Sequence, residues 1–251
     1  MRKSLLFMVS FVVTLFFSCG SQQTKGSFDV SDADSLAMVL EGDSTVYGLV
    51  CDGTSDTLLV FLSVKDIQSD PDTFDILSAT RHHRVLGRLK IGDNIAIVRN
   101  ANDSTVADFV VDMEDLQATW CYQVLPTLHV RADMVGKTEK QKINNLPDSI
   151  KELLTVSREY SMQLKADHSV SSRGNYRQSL DDDRLIDYPR MKRYGQWHLY
   201  NGKLLLSEMA FDSLGNTRIM STDTADFLLM SPDTLVLRFK DETRHYYSKE
   251  K

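Results

Sequence analysis

Short apolar runs rich in Val, Leu, Ile, Tyr and Phe recur along the chain, separated by clusters of Asp, Gly, Asn, Ser and Thr. Such runs, too short for amphipathic helices, predict β-strands bounded by turns. In the first half the pattern predicts strands over Thr45–Cys51, Thr57–Ser63, Thr73–Ala79, Asn94–Arg99 and Thr105–Val111. Asp52-Gly53-Thr54-Ser55-Asp56 reads as a hairpin-like turn cluster, with Gly53 available for positive φ, and Asn102-Asp103 marks a later turn. About five strands at this spacing suit a small closed barrel. Met113-Glu114-Asp115-Leu116 reads either as a short helical connector or as the last turn of that barrel.

From Trp120 the alternation resumes. Trp120–Leu125 reads as a strand, and a polar connection leads to a short helix over Pro147–Thr155. Pro147 suits its first turn, Asp148 the positive end of its dipole, and Ile150, Leu153 and Leu154 form one apolar face. Strands are then predicted over Glu159–Lys165, Val170–Asn175, Met191–Tyr200, Lys203–Phe211, Asp226–Met230, Thr234–Lys240 and Arg244–Ser248. Asn201-Gly202 is the strongest short-range hairpin signal in the chain. Leu214-Gly215-Asn216 and Ser231-Pro232-Asp233 mark further turns. About eight antiparallel strands in meander order make an up-and-down barrel with room for one small ligand. The expected fold class is mostly β, with two small antiparallel barrels and one short helix in the second.

The first residues break this pattern. Arg2-Lys3 precede an apolar run from Leu5 to Phe17, and Ser18-Cys19-Gly20 follow. A basic pair, an apolar stretch too short to span a bilayer and a small residue at its end describe a secretory signal peptide. With Cys19 directly after it, Leu15-Phe16-Phe17-Ser18-Cys19 resembles the lipobox of bacterial lipoproteins, although Phe17 is bulkier than the residue usual at its position. The resemblance implies cleavage before Cys19 and acylation of that residue by diacylglycerol and a further acyl chain such as palmitate. Several acyl chains anchor a protein far more firmly than one.

The polar, small-residue stretch Gly20–Ser27 then reads as a flexible tether. It lacks an acidic run after Cys19, so its resemblance to lipoprotein sorting rules implies an outer membrane protein facing the periplasm. The expected organisation is a signal peptide over 1–18, a tether over 19–27, a first barrel over 28–117 and a second over 118–251.

Two further stretches carry resemblances. Leu89-Lys90-Ile91-Gly92-Asp93-Asn94-Ile95-Ala96-Ile97-Val98 resembles the segment of OB-like and SH3-like barrels in which Gly-Asp turns into a central strand. Residues 118–248 resemble the lipocalin-like domains of bacterial lipoproteins. The resemblance rests on the Trp-bearing opening strand, Tyr194–Leu199, Asn201–Leu206 and Leu228–Leu237. Lipocalins open on Gly-x-Trp where this chain has Ala118-Thr119-Trp120, and they carry an Arg in the last strand, here Arg244. The resemblance implies a cation–π contact between Arg244 and Trp120 that closes the barrel end.

Charge and chemistry narrow the function. The formal charge is −6 with Lys and Arg unclustered, which argues against nucleic acid and against an anionic lipid surface, so Cys19 supplies the membrane contact. Hydrophobic residues make up 42% of the chain, enough for real cores. Cys51 and Cys121 remain once Cys19 is acylated. They read either as a disulfide joining the two halves or, the favoured alternative, as buried thiols.

Motifs for serine hydrolysis, zinc proteolysis, phosphate cradling and dinucleotide binding are all missing, so neither enzyme activity nor a cofactor is expected. His82-His83, flanked by Arg81 and Arg84, reads as a solvated loop, and Asp181-Asp182-Asp183 as an exposed acidic turn. No metal is expected.

The remaining candidate site is the barrel interior. Alternation places Trp120, Tyr122 and Val124 on one face, Trp197 and Leu199 on another, Leu204 and Leu206 on a third, and Leu235, Leu237 and Phe239 on a fourth. Facing inwards, these side chains either fill the barrel or line an apolar pocket. The sequence therefore supports a lipid-anchored envelope protein binding a small hydrophobic molecule. The alternative is an envelope scaffold with a filled barrel that meets partner proteins.

Overall fold

A computed structural model describes residues 40–129, 134–174, 185–211 and 217–249. The signal segment, Cys19, the tether, the end of the Val170–Asn175 run, the Asp181–Asp183 cluster and the Leu214–Asn216 turn lie outside the described residues.

The first part of the chain builds a sheet of six strands: β1 (Thr45–Val50), β2 (Leu58–Ser63), β3 (Asp72–Asp75), β4 (Val85–Leu86), β5 (Asn94–Arg99) and β6 (Ala107–Asp112). Their order is β3-β2-β1-β5-β6-β4, antiparallel except for the β4–β6 pair. A parallel bridge between Asp75 and Val106, with the Asp75 N–H donating to the Thr105 carbonyl at 2.9 Å, brings β3 against the start of β6. Leu59, Phe61, Phe74, Ile95, Ile97 and Val110 fill the space enclosed. Phe61 passes so close to Gly48 that a Cβ there would lie 2.3 Å from its ring.

Two helices in this part are shaped by aspartates. The Thr73–Ala79 strand expected from the sequence ends at Asp75, whose carboxylate accepts the Leu77 N–H at 2.8 Å and turns the chain into α1 (Leu77–Arg81). Asp112 caps α2 (Met113–Leu116) by accepting from the N–H groups of Glu114 and Asp115. The helical reading of Met113–Leu116 is the one observed.

The second part is an eight-stranded antiparallel sheet. Its members are β7 (Thr119–Val124), β9 (Arg158–Leu164), β10 (Val170–Arg173), β12 (Tyr194–Tyr200), β13 (Lys203–Phe211), β14 (Thr217–Met230), β15 (Thr234–Arg238) and β16 (Thr243–Ser248). The pairing order β10-β9-β7-β16-β15-β14-β13-β12 is a meander in which the last strand pairs with the first. The edges β10 and β12 meet at a Ser169–Gln196 bridge, and the Trp197 N–H donates to the His168 carbonyl at 2.9 Å. The sheet is thus a nearly closed up-and-down barrel.

Strand β14 extends well before the expected Asp226 start. Its polar first half, Thr217–Ala225, is held by pairing with β13 and not by an apolar pattern. A separate two-stranded ribbon pairs β8 (Thr127–Leu128) with β11 (Ile186–Asp187). The β7–β9 connection holds α3 (Glu139–Asn144) before α4 (Asp148–Leu153), so the single helix expected there is the second of two among the described residues. A Thr138–Gln141 capping box starts α3.

The two ends of the barrel differ. One end carries the β9–β10 turn, the Asn201-Gly202 hairpin, the β14–β15 turn and the start of β7. Here the first sheet packs on. Tyr200 donates its hydroxyl to the Glu41 carbonyl, the Phe109 and Phe227 rings lie 5.9 Å apart, and the Trp120 indole donates to the Leu116 carbonyl at 2.9 Å. One buried cluster runs through the junction, from Leu86, Val111 and Leu116 into Trp120, Leu204 and Leu235. The opposite end, where β7 finishes and β16 begins, is the open one.

Candidate functional site

Alternation along β7 turns Trp120 and Tyr122 to the barrel interior, and the two residues meet different surroundings. Trp120, Trp197, Leu204, Leu206, Leu235 and Leu237 are 0% exposed and Leu199 is 1% exposed, all in one continuous cluster. They form a packed floor within the barrel. Tyr122 and Phe239 are partly exposed and pack against that floor from the open side.

The cleft above the floor arises from a break in the barrel wall. The Lys249 N–H donates to the Thr119 carbonyl at 3.2 Å, and β7 pairs with β16 at Trp120–Ser248 and Cys121–Tyr247. The ladder stops there, although β7 continues to Val124 along β9 and β16 begins at Thr243 along β15. The strands therefore diverge towards the open end. Gln123 and His245, whose backbone groups would face each other next in this register, form no pair.

A cleft of about 520 Å³ occupies the split. Its walls are Tyr122–Leu125 and Glu242–His245, with Tyr160 behind and Pro189-Arg190 at the rim. The volume lies within the ordinary range for small-molecule sites, roughly 300–1,000 Å³.

Aromatic rings and one guanidinium organise the cleft. Tyr122 stands edge-on to Tyr160 at 5.8 Å and to Tyr246 at 5.2 Å. The Arg244 guanidinium lies 5.5 Å from the Tyr122 ring centroid and 4.9 Å from that of Phe239, and it is paired with Glu242. Tyr160 donates its hydroxyl to the Pro189 carbonyl at 2.7 Å, which ties the rim to β9. Tyr194 donates to Asp223 at 2.6 Å, and Lys192 pairs with the same carboxylate.

Burial pushes the Tyr122 phenol up to about 12 and raises Tyr246 as well, while burial and then the Asp223 carboxylate raise Tyr194. These phenols stay protonated at neutral pH and act as hydrogen-bonding rings. Burial disfavours the Asp223 charge, but hydrogen bonds from Lys192 and Tyr194 outweigh it and hold this carboxyl below its usual range. Such a site can hold a flat body between rings and meet a polar head with a cation.

The sequence-based site residues divide accordingly. Trp120, Trp197, Leu199, Leu204, Leu206, Leu235 and Leu237 come together as floor, Phe239 lies beneath Arg244, and only Tyr122 of that set lines the cleft. Tyr160 was legible as an inward position of its strand, whereas Pro189 and Arg190 belong to a loop without a pattern.

Arg244 stacks on Tyr122 and Phe239 and not on Trp120. The register explains this difference. Ser248 is the partner of Trp120, so Arg244 lies four residues further along β16, towards the open end. The Trp120 indole is instead committed to Leu116.

His82 is exposed and its Nδ1 contacts the Ser78 carbonyl at 2.8 Å, and its neighbour His83 is exposed too. Among the described residues, no three His, Cys, Asp or Glu side chains gather as a metal site would require. Cys51 is a half-buried free thiol and Cys121 a buried one.

No family model matches the chain, and no curated protein matches it. Among solved structures, a lipocalin-like protein from Bacteroides thetaiotaomicron is similar over 54% of this chain and 97% of its own. The two share 14% identity with a TM-score of 0.27. The barrel described above is defined by its own strand pairing, independently of that likeness.

Proposed function

We propose that this is a non-enzymatic, lipid-anchored envelope protein whose lipocalin-like barrel binds a small hydrophobic molecule at its open end. The observation that carries this reading is the cleft between β7 and β16, floored by packed apolar side chains and lined by Tyr122 and Tyr160. An up-and-down barrel capped at one end and split at the other suits a single small ligand.

The first sheet serves as the cap. We read it as an OB-like barrel, because β1, β2 and β3 form a meander, α1 follows β3, β5 pairs with β1, and β6 returns to β3. Acylated Cys19 and the tether hold both units at a membrane, outer and periplasm-facing in this reading.

The test uses the exported chain, residues 19–251 carrying Cys19→Ser, titrated with the uncharged fluorophore N-phenyl-1-naphthylamine. Saturable enhancement that is lost in Val124→Arg, with the fold intact by circular dichroism, supports the reading. Absence of uptake by the unmodified cleft overturns it. A separate observation favours the scaffold as second reading: Ile219, Met220, Leu228 and Leu229 lie exposed along β14, where a partner protein would cover them.

A further inference from the structure

The cleft is shallow, and its shape restricts what can enter. Behind Tyr122 and Tyr246 the barrel interior is filled by Trp120, Leu235 and Leu237, all wholly buried. A long acyl chain would need a channel into the interior, and close-packed side chains leave none along that path. What the cleft offers instead is rigid, ring-lined wall. Half-buried Tyr122 presents its ring to a flat body with the buried Tyr160 ring packed edge-on behind it, and their strands are fixed by pairing with each other.

The polar groups around that wall are unequal. Arg244 and Glu242 neutralise one another on the β16 side. On the opposite rim, Arg190 is exposed and has no carboxylate partner among the described residues. The net charge contributed by these three is therefore positive, despite the acidic chain as a whole. In addition, the β7–β16 ladder ends before Gln123 and His245, so these two strand edges line the cleft wall.

We infer that the ligand is a compact, ring-bearing organic anion, its flat body held against Tyr122, which Tyr160 backs, and its carboxylate directed to Arg190. This assignment rests on the small-molecule reading above and narrows it from hydrophobic ligands in general to aromatic acids. A molecule of this kind enters sideways through the split between β7 and β16, and leaves its acidic head at the solvent-facing rim. Arg190 is the specificity-determining group because the other guanidinium is already matched by Glu242.

The experiment is calorimetric titration of the same exported chain with 2-naphthoate, with 2-naphthalenemethanol, its neutral counterpart, and with decanoate. The expected result is that 2-naphthoate binds about tenfold more tightly than the alcohol. Arg190→Gln should erase that preference by weakening the acid more than the alcohol. Decanoate should bind more weakly than 2-naphthoate. Equal binding of acid and alcohol, or an unaltered preference in Arg190→Gln, overturns the anion assignment while the small-molecule reading stands. Tighter binding of decanoate overturns the flat-body assignment. Failure of N-phenyl-1-naphthylamine removes the small-molecule reading itself, whereas failure of these three probes with its uptake intact overturns only the present assignment.

Discussion

The Asn201 side chain accepts the backbone N–H of Ser44 at 2.9 Å and donates to the Gly42 carbonyl at 3.0 Å, joining the tip of the β12–β13 hairpin to the chain entering β1. The same residue has φ 48° and its neighbour Gly202 has φ 78°, the pair of positive values that a tight two-residue hairpin requires. One residue therefore sets a turn and couples the capping sheet to the barrel.

Substitution at this position separates the two roles. Asn201→Gly keeps the turn but removes the side-chain bridge, and should cost roughly 0.5–1.5 kcal/mol for these exposed hydrogen bonds. Asn201→Ala removes the bridge and strains the left-handed backbone, adding about 1 kcal/mol more. Urea denaturation of the three proteins checks the order. Equal stability of the two variants would show that the backbone conformation contributes nothing.

The packed floor answers to volume. Leu204 is wholly buried in the cluster, so Leu204→Ala should lower the unfolding free energy by about 2–5 kcal/mol. Trp197→Arg should prevent folding outright, because it buries an unpaired charge where the indole now donates to the Lys165 carbonyl at 2.9 Å. Substitutions at the floor thus report on folding, and only those at the mouth test the proposed ligand. A folded, soluble Trp197→Arg protein by circular dichroism would contradict this division.

How much of this was legible follows from what holds each element. Strands that bury one face, such as Asn94–Arg99 and Lys203–Phe211, appear where the apolar pattern places them, because alternation and burial coincide there. Asn201-Gly202 was equally plain, since only a few residue types accept its backbone. The early half of β14 was hidden because cross-strand pairing with β13, and not burial, makes it a strand. Helix α1 was hidden because a single carboxylate, Asp75, ends an otherwise convincing strand, whereas α3 carried a capping-box signature at Thr138 and Gln141. Inward-facing residues of the barrel were readable, but alternation does not distinguish floor from mouth. That distinction depends on where the β7–β16 ladder stops, which no local pattern encodes.

Asp112 links stability to pH. It is fully buried, and that burial, reinforced by the charges of Asp115 and Asp93, raises its carboxyl to about 6 despite the hydrogen bonds from Glu114 and Asp115. The folded value lies above the unfolded one, so the folded state binds the extra proton between about pH 4 and pH 6. Stability from this group is greatest below that window and falls as pH rises through it, by something on the order of 2–3 kcal/mol. Asp112→Asn retains a capping oxygen without the charge, and should flatten this part of the profile. An unchanged slope in the variant between about pH 4 and pH 6 would remove Asp112 as its source.

The two thiols should behave independently. Cys51 is half-buried, whereas Cys121 is buried and its thiol is pushed up by that burial and by Glu159. An alkylating reagent should label Cys51 in the native protein and reach Cys121 only after unfolding. Mass spectrometry without reductant checks this. A species refractory to labelling at both sites after unfolding would instead indicate a disulfide.

Acid should loosen the barrel at its seam. His168 lies 4.7 Å from the Trp197 ring and stacks on His198 at 5.4 Å, where β10 and β12 meet. Burial lowers the pKa of both, the mutual proximity lowers His198 further, and Asp167 and Asp43 offset this only in part. For a base depressed on folding, the unfolded chain takes up protons that the folded one resists. This contribution is therefore neutral above about pH 6.5 and turns destabilising as pH falls below it. The direction is opposite to that of Asp112, which allows the two to be separated by variant. His198→Gln should reduce the loss of stability on going from about pH 7 to about pH 5, and amide exchange at Trp197 should accelerate with acid in the unmodified protein. If exchange at Trp197 is insensitive to pH once the intrinsic chemical rate is corrected for, the stacked histidines do not govern the seam.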